Sequence, residues 1–152
     1  CANARFPVNV IRGELMKHTI HAGNVALTGN STLGMDLLEV KKGPLSAYMI
    51  LDELRDAGLR APLQVYRALE KLISLGRVHR VESLNAFIAC SHMSCENRGM
   101  SAFVICDKCD HVQEVWDESI SLFLDELAEK TKIKASKSNI ELHGICDACE
   151  GL

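Results

Sequence analysis

The chain has 152 residues, of which 47% are hydrophobic and 24% charged, with a formal net charge of −3 and a pI near 6.1. Its length suits one ordinary domain or two small ones. The longest apolar runs fall far short of the roughly 20 residues of a membrane-spanning helix, no export signal is visible, and the expected home is the cytoplasm, where cysteine pairs bind metal more often than they bridge. The charge is unevenly spread: residues 1–84 carry 11 Lys/Arg against 8 Asp/Glu, whereas residues 85–152 carry 6 against 12. Such asymmetry suggests two modules with different partners.

Along the chain, Val10, Ile11, Glu14 and Leu15 give Phe6–His18 a rough helical period, and Thr28-Gly29-Asn30-Ser31 reads as a loop. Met35–Lys41 is predicted as a short helix stopped by Gly43-Pro44. Ser46 can cap a helix running through Asp56, with Ile50, Leu51 and Leu54 on one face and Gly58 as its stop. Pro62 opens another helix that ends at Gly76, with Val65, Leu69, Leu72 and Ile73 on one side and Gln64, Arg67, Lys71 and Ser74 on the other. Two strands, Arg77–Glu82 and Ala86–Cys90, follow around Ser83-Leu84-Asn85 as a hairpin. Helix, turn, amphipathic helix and hairpin form the order of a winged helix-turn-helix, whose second helix lies in the DNA major groove.

After a polar linker at 91–100, strands are expected over Ser101–Ile105, His111–Trp116 and Ser138–Ile145, with a helix marked by Ile120, Phe123, Leu124 and Leu127. The predicted fold is therefore α+β. A winged-helix DNA-binding domain covers 1–84, a hinge 85–100, and a dimerisation domain with structural zinc 101–152.

Cys106-Asp107-Lys108-Cys109 and Cys146-Asp147-Ala148-Cys149 are two C-x-x-C knuckles separated by 36 residues. Two residues between thiolates let both sulfurs reach one ion about 2.3 Å away, and two such turns complete a tetrahedron. A redox C-x-x-C comes singly at a helix start; these are paired, each at a strand end. A second zinc site is suggested by Cys90, His79 across the hairpin, and His92 and Cys95 just beyond, against the alternative of ordinary core residues. His111 and His143 read as structural or surface histidines. The four-cysteine site is closed and no H-x-E…P-C-x-x-C pattern occurs, so a zinc hydrolase or deaminase is not expected.

These residues together resemble the ferric-uptake-regulator superfamily, most closely its zinc-sensing branch. The resemblance is carried by Pro44–Tyr48, Val65-Tyr66-Arg67-Ala68-Leu69, Gly76–Ser83, Phe103–Cys109 and His143–Cys149, and runs from about residue 44 to the C-terminus. It implies a homodimeric, metal-activated repressor of zinc uptake genes that binds double-stranded operator DNA and holds two Zn²⁺ per chain. It further implies that Cys106, Cys109, Cys146 and Cys149 form the structural site, and that Tyr66 and Arg67 contact DNA. Gln64, Lys71, Arg60 and Arg80 are candidate further contacts. The sensing site would take His79, Cys90 and Glu114. Where the family usually offers a histidine ligand the chain reads Asn97-Arg98-Gly99-Met100, so the fourth ligand is expected to be Cys95 or His92, with Cys95 preferred. Two other departures are the lack of an arginine in Leu27–Ser31 and Gln64 where a threonine is common. An iron- or peroxide-responsive repressor of the same superfamily and a zinc-ribbon interaction module are the rival readings.

Overall fold

The computed structural model describes residues 27, 29–91 and 100–151. The helix expected over Phe6–His18, and the candidate ligands His92 and Cys95, lie outside the described residues.

Helix α1 (Asn30–Lys41) begins within the stretch expected to be a loop. Its tertiary contacts override a weak local signal: Met35, Leu37 and Leu38 are buried, and a Cβ on Gly34 would lie only 3.8 Å from Leu72 Cδ1. Lys42 ends it in the left-handed conformation, with its N–H on the Leu38 carbonyl. Ser46 caps α2 (Ala47–Glu53), its Oγ accepting from the Met49 N–H at 3.2 Å. This helix is shorter than expected. Gly58, at φ 113°, turns the chain towards the next helix through a conformation that side chains rarely adopt. Helix α3 (Pro62–Ser74) starts and stops as read from Pro62 and Gly76. Its apolar face, Val65, Leu69 and Leu72, packs with Leu37, Leu38, Ile50, Leu54 and Leu59 into a first core.

Strands β1 (Val78–Val81) and β2 (Ala86–Ala89) pair antiparallel, and Leu45 bridges to Phe87 beside them. The hairpin therefore extends past residue 84, where the first domain was expected to end. Strand alternation divides its side chains. Val78 and Phe87 join the first core, whereas Val81 and Ile88 join a second core with Phe103, Ile105 and Val112. That second core belongs to the C-terminal sheet, so the wing is packed on the sheet rather than loosely hinged to it.

The sheet has the order β4-β3-β5, built from β3 (Met100–Cys106), antiparallel β4 (Val112–Val115) and parallel β5 (Ser138–Gly144). Helix α4 (Glu118–Thr131) connects β4 to β5 and is capped by Asp117, which accepts from the Ser119 N–H at 2.8 Å. None of its residues is buried, and Leu122, Phe123 and Leu127 stand 59%, 63% and 46% exposed. A one-turn helix, α5 (Asp147–Glu150), ends the described chain. Among the described residues no helix is long and apolar enough to cross a membrane.

Candidate metal centres and DNA-reading helix

The two knuckles converge. Cys106 ends β3 and Cys146 follows β5, and the parallel pairing of these strands brings residues forty apart in sequence to one edge. All four sulfurs, of Cys106, Cys109, Cys146 and Cys149, lie within 4.8 Å of one another. The Cys109–Cys146 separation is 3.9 Å, close to the about 3.8 Å edge of a tetrahedron with 2.3 Å metal–sulfur bonds. Their chemistry is divided by their surroundings. The backbone N–H of Cys146, followed by that of Lys108, holds the Cys106 thiol down to about 6. The neighbouring Cys146 and Cys109 thiols, with burial, push Cys149 up to about 12. Four crowded sulfurs shed all their protons only around a cation, and an all-thiolate tetrahedron fits Zn²⁺.

The second centre sits on the seam between wing and sheet. His79, Cys90 and Glu114 bring one nitrogen, one sulfur and one carboxylate oxygen within 4.8 Å of one another. His79 comes from β1, Cys90 from the end of β2 and Glu114 from β4. Its pieces are oriented by neighbours not anticipated from sequence. Ser101 Oγ lies 3.0 Å from His79 Nδ1, and the Ser91 N–H and Oγ donate to Glu114 Oε2 at 2.8 and 2.7 Å. That leaves Glu114 Oε1 facing His79 Nε2 at 3.1 Å and Cys90 Sγ at 3.9 Å. The His79 ring also packs against Phe103, with centroids 5.9 Å apart.

His79 Nε2 is buried and, despite its closeness to Glu114, has no hydrogen bond of acceptable geometry. An imidazole fixed through Nδ1 with an unsatisfied Nε2 beside a thiol and a carboxylate is arranged as a metal ligand. Burial pushes the Glu114 carboxyl up, but the His79 ring beside it and the hydrogen bonds from Ser91 outweigh that and hold the group at about 2. Its anionic form is thereby ready for a cation. Cys90 is disulfide-bonded in this structure, so its sulfur becomes a donor on reduction. The mixed N, S and O set fits Zn²⁺ better than it fits Fe²⁺ or Mn²⁺. A cleft of 410 Å³, lined by Leu38, Lys42, Cys90, His111 and Glu114 among others, opens beside the site. His111 and His143 belong to neither ligand group; His143 Nδ1 is instead 2.9 Å from Asp107 Oδ1.

On the opposite side, α3 presents Tyr66 (38% exposed), Arg67 and Lys71 to solvent, with Arg60 exposed just ahead of it. Gln64 is used differently from expectation. Its Oε1 accepts from the N–H groups of Arg60 and Ala61 at 2.8 and 3.0 Å, closing the helix start as the acceptor of a capping box. Arg80 is tied to the wing turn, through Glu82 at 3.0 Å and Asn85 at 3.1 Å.

Residues 36–143 match the model of the ferric uptake regulator family. The chain is 39% identical over 127 residues to the zinc uptake regulation protein of Escherichia coli (strain K12), covering 83% of this chain and 74% of that one. It is similar to a solved zinc uptake regulator complexed with zinc and DNA (36% identity, TM-score 0.75, 93% of this chain and 88% of the other). It is also similar to holo XcZur (30% identity, TM-score 0.76, covering 96% and 100%). With its knuckles, its wing and its two donor clusters, the chain belongs to the ferric uptake regulator family.

Proposed function

We propose that this chain is a zinc-responsive transcriptional repressor that, as a cytoplasmic homodimer loaded with zinc, binds operator DNA and controls zinc uptake genes. The observation that carries the reading is the orphaned, buried His79 Nε2, placed beside Cys90 and Glu114 where wing and sheet meet. The relatives named as zinc uptake regulators, one of them solved with zinc and DNA, support zinc as the sensed metal and DNA as the target.

Each group has a defined task. Cys106, Cys109, Cys146 and Cys149 hold a structural Zn²⁺ that ties the end of β3 to the end of β5. His79, Cys90 and Glu114 hold the second, regulatory Zn²⁺, with Cys95 or His92 as the fourth ligand. Bound there, Zn²⁺ supplies a strong bond between wing and sheet that does not depend on apolar contact. Ser101 holds the His79 ring through Nδ1 and Ser91 turns Glu114 towards the wing. A fixed wing fixes α3, and in a dimer the spacing of two such helices must match half-sites about 34–36 Å, or a multiple, apart. The exposed Leu122, Phe123 and Leu127 face of α4 supports a second copy as the partner of this unit. On α3, Arg67 can fork to a guanine edge, with Tyr66, Lys71 and Arg60 beside it. Arg80 and Gln64 act there mainly by shaping the wing and the helix start.

The test is operator binding by the reduced, full-length protein at controlled free zinc. Binding that rises with zinc, and not with Fe²⁺ at matched occupancy, is expected. Binding indifferent to both metals would sink the reading.

A further inference from the structure

Glu141 lies on β5, at the opposite edge of the sheet from Glu114, and belongs to neither metal group. The strand register gives it a counterpart. Phe103 on β3 pairs with Glu114 on β4 and with Glu141 on β5, so one row of the sheet reads carboxylate, phenyl, carboxylate. Paired positions of neighbouring strands share a face, and here that face is the one the wing covers.

Glu114 meets the wing near its second strand. Glu141 meets it at the turn: Oε1 accepts from the Glu82 N–H at 2.7 Å, and Oε2 accepts from the Ser83 N–H at 3.0 Å. Two successive N–H groups aimed at one carboxylate make an anion nest, formed between residues 58 and 59 positions apart. Asn139 Nδ2 donates to Oε1 at 3.0 Å and steadies the side chain, which is 13% exposed. The turn does not need Glu141 to close. Asn85 N–H already donates to the Glu82 carbonyl at 3.1 Å, and Arg80 bridges Asn85 and Glu82. The same arginine neutralises the Glu82 carboxylate, which would otherwise repel Glu141.

We infer that Glu141 is a zinc-independent anchor for the wing, a positioning residue that holds the turn on the sheet and so lowers the free zinc needed to lock the DNA-competent geometry. This rests on the regulatory reading above. The wing is attached at two ends of one sheet row: metal ligands at Glu114 and backbone N–H groups at Glu141. A ligand that binds a state populated to a fraction f shows an apparent dissociation constant larger by 1/f. Losing the anchor lowers the docked fraction without removing a metal ligand.

The experiment compares wild type, Glu141→Ala and Glu141→Gln as reduced full-length proteins. The probe is a DNA duplex selected from a random library by the zinc-loaded wild-type protein. Zinc content at saturation, operator binding against buffered free zinc, and hydrogen exchange of the Glu82 and Ser83 amides before regulatory zinc is added are measured together. Both variants keep the wild-type zinc content and the same maximal operator binding. The half-point in free zinc rises roughly tenfold in Glu141→Ala and less in Glu141→Gln, which retains one acceptor oxygen, since hydrogen bonds to a charged acceptor are among the stronger ones. The two amides lose protection in Glu141→Ala. An unchanged half-point with unchanged amide protection in either variant overturns the inference. So does a fall in zinc content, which would place Glu141 in the support of a metal site. If wild-type binding ignores zinc, the regulatory reading fails, and with it Glu141's effect on zinc response; amide exchange then still decides whether Glu141 anchors the turn.

Discussion

Replacing Glu114 by glutamine removes one negative charge and almost no volume from the seam between wing and sheet. In wild type this carboxyl sits at about 2 against an ordinary 4.5, because the nearby His79 ring and the bonds from Ser91 more than offset the penalty of burial. At about 1.4 kcal/mol per unit, that difference corresponds to roughly 3 kcal/mol, and nearer 2 once some relaxation around the neutral amide is allowed. The side chain is only 7% exposed, so solvent screening removes little of it. The folded-state value is depressed, so the contribution is complete above the unfolded value of 4.5 and is lost as pH falls towards 2. In protein carrying only the structural zinc, Glu114→Gln should therefore melt about 4–8 °C below wild type at pH 7. The gap should close on acidification between about pH 5 and pH 2. Zinc content at saturation should fall from two to one per chain. The assay is calorimetric melting across pH with metal analysis of the same samples. A variant that keeps both zincs, or that melts with wild type at pH 7, would refute the reasoning.

Arg67→Ala should weaken operator binding by about 1–3 kcal/mol and relax preference at one base pair, with zinc content unchanged, as read by anisotropy on matched and mismatched duplexes. Gln64→Ala should destabilise the protein by about 1 kcal/mol through the lost cap of α3, seen in urea unfolding, while a Gln64→Glu variant keeps the acceptor and the stability. Phe123→Asp should shift the protein towards monomer in sedimentation, because a charge is placed on the exposed apolar face of α4, and should weaken binding to two-half-site DNA more than to a single half-site.

Local spacing made the paired cysteine knuckles legible. Two residues between cysteines fix the bite of each pair, and each pair follows a strand, visible as an apolar run from Phe103 and as an alternation from Ile140. The wing and α3 were equally readable, because Pro62 and Gly76 bracket one face of Val65, Leu69 and Leu72. The first half of α1 was not, since Asn30, Ser31, Thr32 and Gly34 carry little helical signal and are held by packing on α3. Both hairpin strands were legible, but the domain boundary drawn at residue 84 cuts between them, and β2, apolar on both faces, shows no alternation to reveal its second partner. That same double burial is the sign that the wing lies between two cores. His79 and Cys90 could be grouped across the hairpin, but Glu114 joined them only through the family resemblance. Ser91, Ser101 and Glu141 could not be found at all, because serines and surface glutamates are common and their partners here are set by sheet register.

Whether zinc at His79, Cys90 and Glu114 controls DNA binding is decided by Cys90→Ser. Zinc per chain and operator affinity against free zinc are measured on reduced wild type and variant together. Zinc should fall from two to one per chain, the four-cysteine site should stay filled, and operator binding should no longer rise with zinc. A variant with one zinc per chain and wild-type, zinc-dependent binding would contradict it.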